Sequence, residues 1–177
     1  MKKVLSFIFI LISFLIIYLL QSNFFTWFNI AGVKPNLFII LMVFIGAFMG
    51  KYYGFGIGVF LGLLLDMFIG KVLGLNAIIL GLVGLFGGLL TKTFSKDSKM
   101  TMIVLITLIT FASEIVSYIY QMIIFGYGAD ILIFLKIIII EVIFNTLLLI
   151  ILYPLLKKAG EKLEKIFTED KILTRYY

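Results

Sequence analysis

The sequence predicts an all-α integral membrane protein, folded as a bundle of six transmembrane helices. The chain of 177 residues is 63% hydrophobic and only 14% charged, and its mean hydropathy of +1.24 is far above that of a soluble domain. Several apolar runs approach the roughly 20 residues that cross a hydrocarbon layer of about 30 Å. These runs lack the alternation of polar and apolar residues that a membrane β-barrel requires. Helices in a bilayer are therefore the predicted architecture.

Polar breaks divide the apolar sequence into six spans. Lys2 and Lys3 precede the first run, and because no small-residue cleavage site follows it, we expect an uncleaved helix. Residues 37–69 would extend about 50 Å as one helix, so a break is expected at residues 50–54. The predicted spans cover residues 4–20, 37–50, 52–69, 72–90, 100–125 and 131–153. They form a membrane domain of residues 1–156, followed by a cytoplasmic tail of residues 157–177.

The lysine and arginine residues predict which ends of the spans face the cytoplasm. Cytoplasmic loops collect these residues, and an inside N-terminus places twelve of the fifteen on the inner side. Only Lys34 and Lys71 would lie outside, and Lys136 lies within the sixth span. A second segment that re-entered the membrane without crossing it would instead put Lys2 and Lys3 outside. We therefore predict six spans with both termini inside, and we attribute the net charge of +6 to membrane orientation rather than to nucleic-acid binding.

The residue types present argue against most enzymes. The chain has no cysteine and no histidine, which excludes disulfides, thiolate chemistry and imidazole metal sites. Glu114 and Glu141 fall at similar depths, as an acid-base pair would, but no nucleophile or metal cluster accompanies them. The glycines do not follow a strand, as a phosphate-binding loop requires. We expect no catalytic residue, no metal and no cofactor.

Small residues recur at every fourth position through the middle of the sequence. In a membrane helix such a row lets a neighbouring backbone approach closely, and a carboxylate within the row is costly unless that neighbour satisfies it. The row therefore predicts close helix packing around one internal polar point. Its members are Gly46, Gly50, Gly54, Gly58, Gly62, Asp66, Gly70 and Gly74.

Four charged residues fall inside the predicted spans: Asp66, Glu114, Lys136 and Glu141. A lone charge near the centre of a membrane helix costs roughly 2.5 to 3.5 kcal/mol on insertion scales, so each should be paired, neutralised or facing water. Asp66 and Lys136 lie at similar depths below the outer ends of their spans. We therefore predict an ion pair between them.

Polar residues also form a stripe along the fifth span. Spacings of three and four residues place them on one side of the helix, and Glu141 and Asn145 share a face of the sixth span. These faces suit a binding pocket, an ion path or a docking groove, but they also suit mutual hydrogen bonding that holds the bundle together. The predicted intramembrane polar cluster comprises Thr107, Thr110, Glu114, Ser117, Gln121, Lys136, Glu141 and Asn145.

The tail has the pattern of a basic amphipathic helix. Its apolar side carries Leu156, Ala159, Leu163, Ile166 and Phe167. This pattern suits a helix on anionic inner-leaflet lipid or a surface for a cytoplasmic partner. The cations that would contact the lipid or the partner are Lys157, Lys158, Lys162 and Lys165.

The entrance to the second span reads Lys34-Pro35-Asn36-Leu37, and the glycine row with Asp66 follows it. Further along, Glu114 lies in the fifth span, Asn145 in the sixth and Pro154 just after it. Together these residues resemble the MreD family of rod shape-determining proteins, and the length and the six spans agree. The specific part of the resemblance is carried by Pro35, Asn36, Gly54, Gly58, Gly62, Asp66, Gly70 and Gly74.

The resemblance implies a non-enzymatic scaffold subunit of the cell-elongation complex, with several passes through the bacterial cytoplasmic membrane. Its implied partners are MreC, the MreB filament, and the RodA and transpeptidase wall synthase. The fold of that family is similar to the substrate-binding S components of energy-coupling-factor vitamin transporters, so such a component is the alternative function. Those components resemble one another in an Ala-x-x-x-Ala motif of the first span, and residues 4–20 here contain no alanine.

Overall fold

A computed structural model describes residues 2–69, 73–93, 98–126 and 130–173 of the chain. The helices are α1 (Lys2–Leu19), α2 (Phe25–Trp27), α3 (Leu37–Met49), α4 (Lys51–Ile69), α5 (Leu75–Thr93), α6 (Lys99–Phe125) and α7 (Ile131–Leu173), and a π-helical turn, Leu20–Phe24, joins α1 to α2. The described residues contain no strand. The all-α prediction is confirmed.

Four helical segments are long and apolar enough to cross a membrane: Lys2–Trp27, Lys51–Ile69, Lys99–Ile124 and Ile131–Phe167. Two shorter apolar helices, Leu37–Met49 and Leu75–Thr91, lie where the second and fourth spans are expected. An apolar helix therefore corresponds to each of the six predicted spans. A crossing by all six, and their orientation, stay predictions.

The core of the bundle is the short helix α3. All thirteen of its residues are buried, and a helix that is apolar on every side belongs in an interior rather than at a polar surface. At 1.5 Å per residue it extends only about 20 Å. Because its neighbours shield it, its own length does not have to match the thickness of the lipid.

The glycine row places α4 against α5 with almost no space between the two backbones. A Cβ atom at Gly54 would overlap the backbone of Gly84, one at Gly58 that of Leu80, and one at Gly62 that of Ala77. Only glycine permits so close an approach. Gly46 meets α5 at Gly84 and Gly88 in the same way, whereas Gly70 lies outside the described residues.

The predicted break between the second and third spans is present at Gly50. This residue has a φ of +95°, which L side chains rarely adopt. Its N–H donates to Gly46 O at 2.9 Å, and its own carbonyl accepts from Gly54 N at 2.9 Å. The chain can therefore end α3 and begin α4 within a single residue.

The residues after Pro154 continue α7 and form an arm, defined here as residues 155–167, that packs on the bundle. Phe167 meets Phe7 and Tyr53 with ring centroids 6.0 and 4.9 Å apart, and Gly160 lies against the Phe48 ring. Leu163 and Phe167 are buried, so these two apolar residues contact protein instead of lipid. Residues 174–177 of the predicted tail lie outside the described residues.

The lysines of the arm occupy a different side. Lys158, Lys162 and Lys165 are exposed, and Lys157 Nζ lies 3.9 Å from Glu161 Oε1. We call this end of the bundle, where the N-terminus, Gly50 and the arm meet, the lysine end. The opposite end, where α1 leads toward α3 and α4 leads toward α5, is called the cavity end.

Candidate functional site

A polar cavity of about 210 Å³ lies at the cavity end, among α1, α3, α4, α5 and α6. Its apolar wall comes mainly from α4 and α5. Its polar lining comes from the π-helical turn, the start of α3, the start of α5 and the polar stripe of α6. The polar residues that line it are Gln21, Asn36, Asn76, Ser113, Glu114, Ser117 and Gln121.

Asp66 joins the end of α4 to the start of α5 at the cavity end. Its side chain is 1% exposed, and its Oδ2 accepts from Gly74 N at 2.9 Å and Ala77 N at 3.3 Å. Its Oδ1 accepts from the backbone N and side-chain Nδ2 of Asn76, at 3.1 and 2.8 Å. The first N–H groups of a helix have no partner within the helix and carry partial positive charge. Asp66 of α4 therefore caps the N-terminus of the neighbouring α5.

The predicted ion pair between Asp66 and Lys136 is wrong. Lys136 is exposed on α7, and no ion pair joins these two described residues. The Asp66 carboxylate already has four donors from α5. A long lysine side chain on the surface of a membrane helix can reach the headgroup region by itself. Lys136 thus lies apart from the polar cluster to which the sequence pattern assigned it.

Asn145 joins the two halves of the chain behind the cavity. The residue is 0% exposed, its Oδ1 accepts from Asn36 N at 2.7 Å, and its Nδ2 donates to Thr110 Oγ1 at 3.2 Å. Gln21 Nε2 donates to Pro35 O at 2.9 Å. A short network therefore fixes the start of α3 to α1 on one side and to α6 and α7 on the other.

Glu114 and Glu141 face each other between α6 and α7. Their carboxyl groups lie close enough to influence each other electrostatically, and the Asn145 side chain lies close to Glu141. Glu141 is 6% exposed. The structure therefore brings together Thr110, Glu114, Glu141 and Asn145 of the predicted polar cluster.

The remaining members of the stripe have other roles. Thr107 Oγ1 lies 3.3 Å from Thr146 Oγ1 and links α6 to α7. Ser117 donates to Ser113 O of its own helix at 2.9 Å and also lines the cavity. Gln121 is exposed and lines the cavity. The stripe thus serves both as a helix contact and as a cavity wall.

Several acceptor oxygens of this region have no hydrogen-bond partner. Gln21 Oε1 and Asn36 Oδ1 are buried and unpartnered, and both residues line the cavity. Glu114 adds a carboxyl group to the same lining, and Glu141 Oε1 behind it is also unpartnered. A buried acceptor without a donor costs roughly 1 to 3 kcal/mol. The cavity therefore suits a group that donates hydrogen bonds or carries positive charge.

Two important residues did not emerge from the sequence pattern. Gln21 follows the first apolar run, and nothing in the sequence around it indicates a role in a site. Asn76 follows Gly74 directly before an apolar helix, which is a signal of a helix start, but nothing in the sequence points to Asp66 as its partner. Among the described residues, no group of three or more Asp, Glu, His or Cys side chains could hold a metal ion.

The model of the family described as rod shape-determining protein MreD matches residues 1–159. The chain belongs to the MreD family. The matched region contains the glycine row, Asp66, Asn145 and every residue that lines the polar cavity. Searches of the curated proteins and of the solved structures found no match. MreD proteins are structural membrane proteins that determine rod shape.

Proposed function

We propose that the chain is a non-enzymatic scaffold subunit of the rod complex. In this role it binds MreC and helps couple the MreB cytoskeleton to lateral peptidoglycan synthesis by the RodA and transpeptidase synthase. The observation that carries this proposal is the match of the MreD model to residues 1–159 of a chain of 177 residues. The buried Asp66 carboxylate is bound by the start of a neighbouring helix, which suits a role in holding the bundle together.

The proposal includes six crossings of the cytoplasmic membrane with both termini inside. The lysine-rich end would then face the cytoplasm, in line with the distribution of lysine and arginine in membrane proteins. The polar cavity would open toward the outer face. The short helices α3 and α5 are tolerated in this arrangement because α3 is buried by its neighbours and α5 packs closely on α4.

We place partner binding at the polar cavity. Its lining holds the unpartnered oxygens Gln21 Oε1 and Asn36 Oδ1 and the Glu114 carboxyl group. A segment of MreC that supplied N–H, hydroxyl or ammonium donors would satisfy these acceptors on binding. The network through Asn145 holds the start of α3 in place before binding, which reduces the ordering that association requires.

Co-purification tests the proposal. The chain and tagged MreC are expressed together and extracted in a mild detergent. Native mass spectrometry then measures the mass of the purified complex. We expect a complex of both proteins that survives washing in 0.5 M salt. Recovery of the folded chain without MreC would contradict the proposal.

The cavity itself supports one alternative function. A small solute that occupied it would make the chain a substrate-binding component of a transporter. At about 210 Å³ the cavity is smaller than the roughly 300 to 1,000 Å³ of typical ligand pockets, so the solute would have to be small. The same native mass spectrum separates the two functions. A stoichiometric small ligand on a chain that ignores MreC would favour the transporter component.

A further inference from the structure

A second concave surface, an apolar groove of about 410 Å³, runs along the side of the bundle. Helix α3 forms its floor, and α1 and the second half of α7 form its walls. The floor residues Ile40 and Ile45 are at most 2% exposed, whereas the rim residues Phe9 and Leu155 are 52% and 66% exposed. The groove therefore opens sideways, toward the region that the bilayer fills.

The size of the groove fits a single hydrocarbon chain. On α1 the lining extends from Phe9 to Leu20, which is about 16 Å of helix. An acyl chain is narrow enough to lie in the groove, and the lining offers such a chain apolar contacts along its whole length.

Two cations lie in line with the groove at its lysine end. Lys2 precedes the lining residues Phe9 and Ser13 of α1 by seven and eleven residues, so all three share one side of the helix. On α7, Lys162 follows the lining residues Leu155 and Ala159 by seven and three residues. Both lysines are exposed. A lipid phosphate beside them would be attracted electrostatically.

We propose that the groove binds one anionic phospholipid, with an acyl chain along α3 and the phosphate near Lys2 and Lys162. The contact of Phe7 with Phe167 joins α1 to the arm just beyond the groove. Because α1 has only three buried residues, Ser6, Ile10 and Phe14, an acyl chain between it and α7 adds apolar contacts to an otherwise sparsely packed helix. The bound lipid thereby stabilises α1 against the bundle.

Native mass spectrometry of the full chain tests this assignment. The delipidated protein is titrated in detergent with phosphatidylglycerol and, separately, with phosphatidylcholine of the same acyl chains. We expect one phosphatidylglycerol to bind more tightly than any phosphatidylcholine. Lys162→Gln should weaken its binding about fivefold, and Lys99→Gln, at an exposed position of α6 outside the groove lining, should leave it unchanged.

A second pair of variants tests the groove itself. Ala159→Phe fills the groove, whereas Val104→Phe adds the same ring at an exposed position of α6 outside it. Only Ala159→Phe should abolish binding of phosphatidylglycerol. The melting temperature of each variant without lipid shows whether it is folded. Equal affinity for the two lipids, or unchanged phosphatidylglycerol binding in Ala159→Phe, would overturn the proposal. Loss of MreC capture in Ala159→Phe with unchanged lipid binding would assign the groove to a partner helix instead.

Discussion

Asn145 Oδ1 accepts a hydrogen bond from the backbone N–H of Asn36 at 2.7 Å, across 109 residues of sequence. This bond ties the start of the buried helix α3 to α7, and the other end of the same amide reaches Thr110 of α6. One fully buried side chain therefore fixes three helices beside the polar cavity. The stability of the bundle therefore depends on this and similar contacts from side chain to backbone.

Replacing Asn145 by Leu should lower the free energy of unfolding by about 2 kcal/mol, because a buried N–H and a buried hydroxyl lose their partner. Thr110→Val should cost less, since the Asn36 N–H keeps its acceptor on Asn145. Unfolding by SDS in mixed micelles measures both. The control is Thr146→Val, which removes the half-buried hydroxyl contact with Thr107. If Thr146→Val destabilised the protein as much as Asn145→Leu, a special role for Asn145 would be contradicted.

Asp66→Leu should destabilise the bundle by at least about 2 kcal/mol, because donors at the start of α5 are left without an acceptor. Asp66→Asn keeps one acceptor oxygen and should cost clearly less. Hydrogen exchange at residues 74–77 reports the cause directly. These amides should exchange faster in Asp66→Leu than in the unmodified chain, and unchanged protection there would show that Asp66 does not cap α5.

Lys136→Leu should change the free energy of unfolding by no more than about 0.5 kcal/mol, the usual range for a surface substitution. The exposed lysine has no ion pair with Asp66, so its removal leaves no buried charge behind. Thermal melting in detergent provides the measurement. If Lys136→Leu lowered the free energy of unfolding as much as Asp66→Leu, the ion pair predicted from the sequence would be supported instead.

Gly58→Ala should destabilise the protein by about 1 to 3 kcal/mol, the range for overpacking, because the new methyl group would overlap the backbone of Leu80. Gly56→Ala lies two residues away, on the same helix, with no atom within 4 Å of the added Cβ. It should be neutral or stabilising by up to about 1 kcal/mol. Similar melting temperatures for the two variants would contradict the close packing of α4 on α5.

The positions of the apolar helices could be predicted from the sequence because burial in lipid leaves a direct record in it, but the continuation of α7 to Leu173, well beyond residue 153, could not. Apolar runs indicate where helices lie, Gly50 indicates where one helix ends, and the glycine row indicates where two helices pack. The partner of Asp66 could not be predicted, because three of its four donors are backbone N–H groups, which no residue type reveals. The arm was assigned to lipid or a partner because an amphipathic pattern does not say which apolar surface covers it.

The candidate site was only partly predictable for a related reason. The stripe on α6 indicated one polar wall, and Glu114 lies in that wall as expected. The opposite wall comes from Gln21, which the sequence pattern did not single out, and from Asn36, which entered only as part of the family resemblance. Only the folded chain shows that their oxygens are buried and lack donors.

The most direct test of the account is site-specific photo-crosslinking in living cells. A photoreactive amino acid is placed at Gln121, which is exposed and lines the polar cavity, or at Val104, which is exposed on α6 away from it. If MreC binds in the polar cavity, a crosslink to MreC is expected from position 121 and none from position 104. Equal crosslinking from both positions, or none from position 121 in a folded chain at normal abundance, would contradict the claim that the cavity holds the partner.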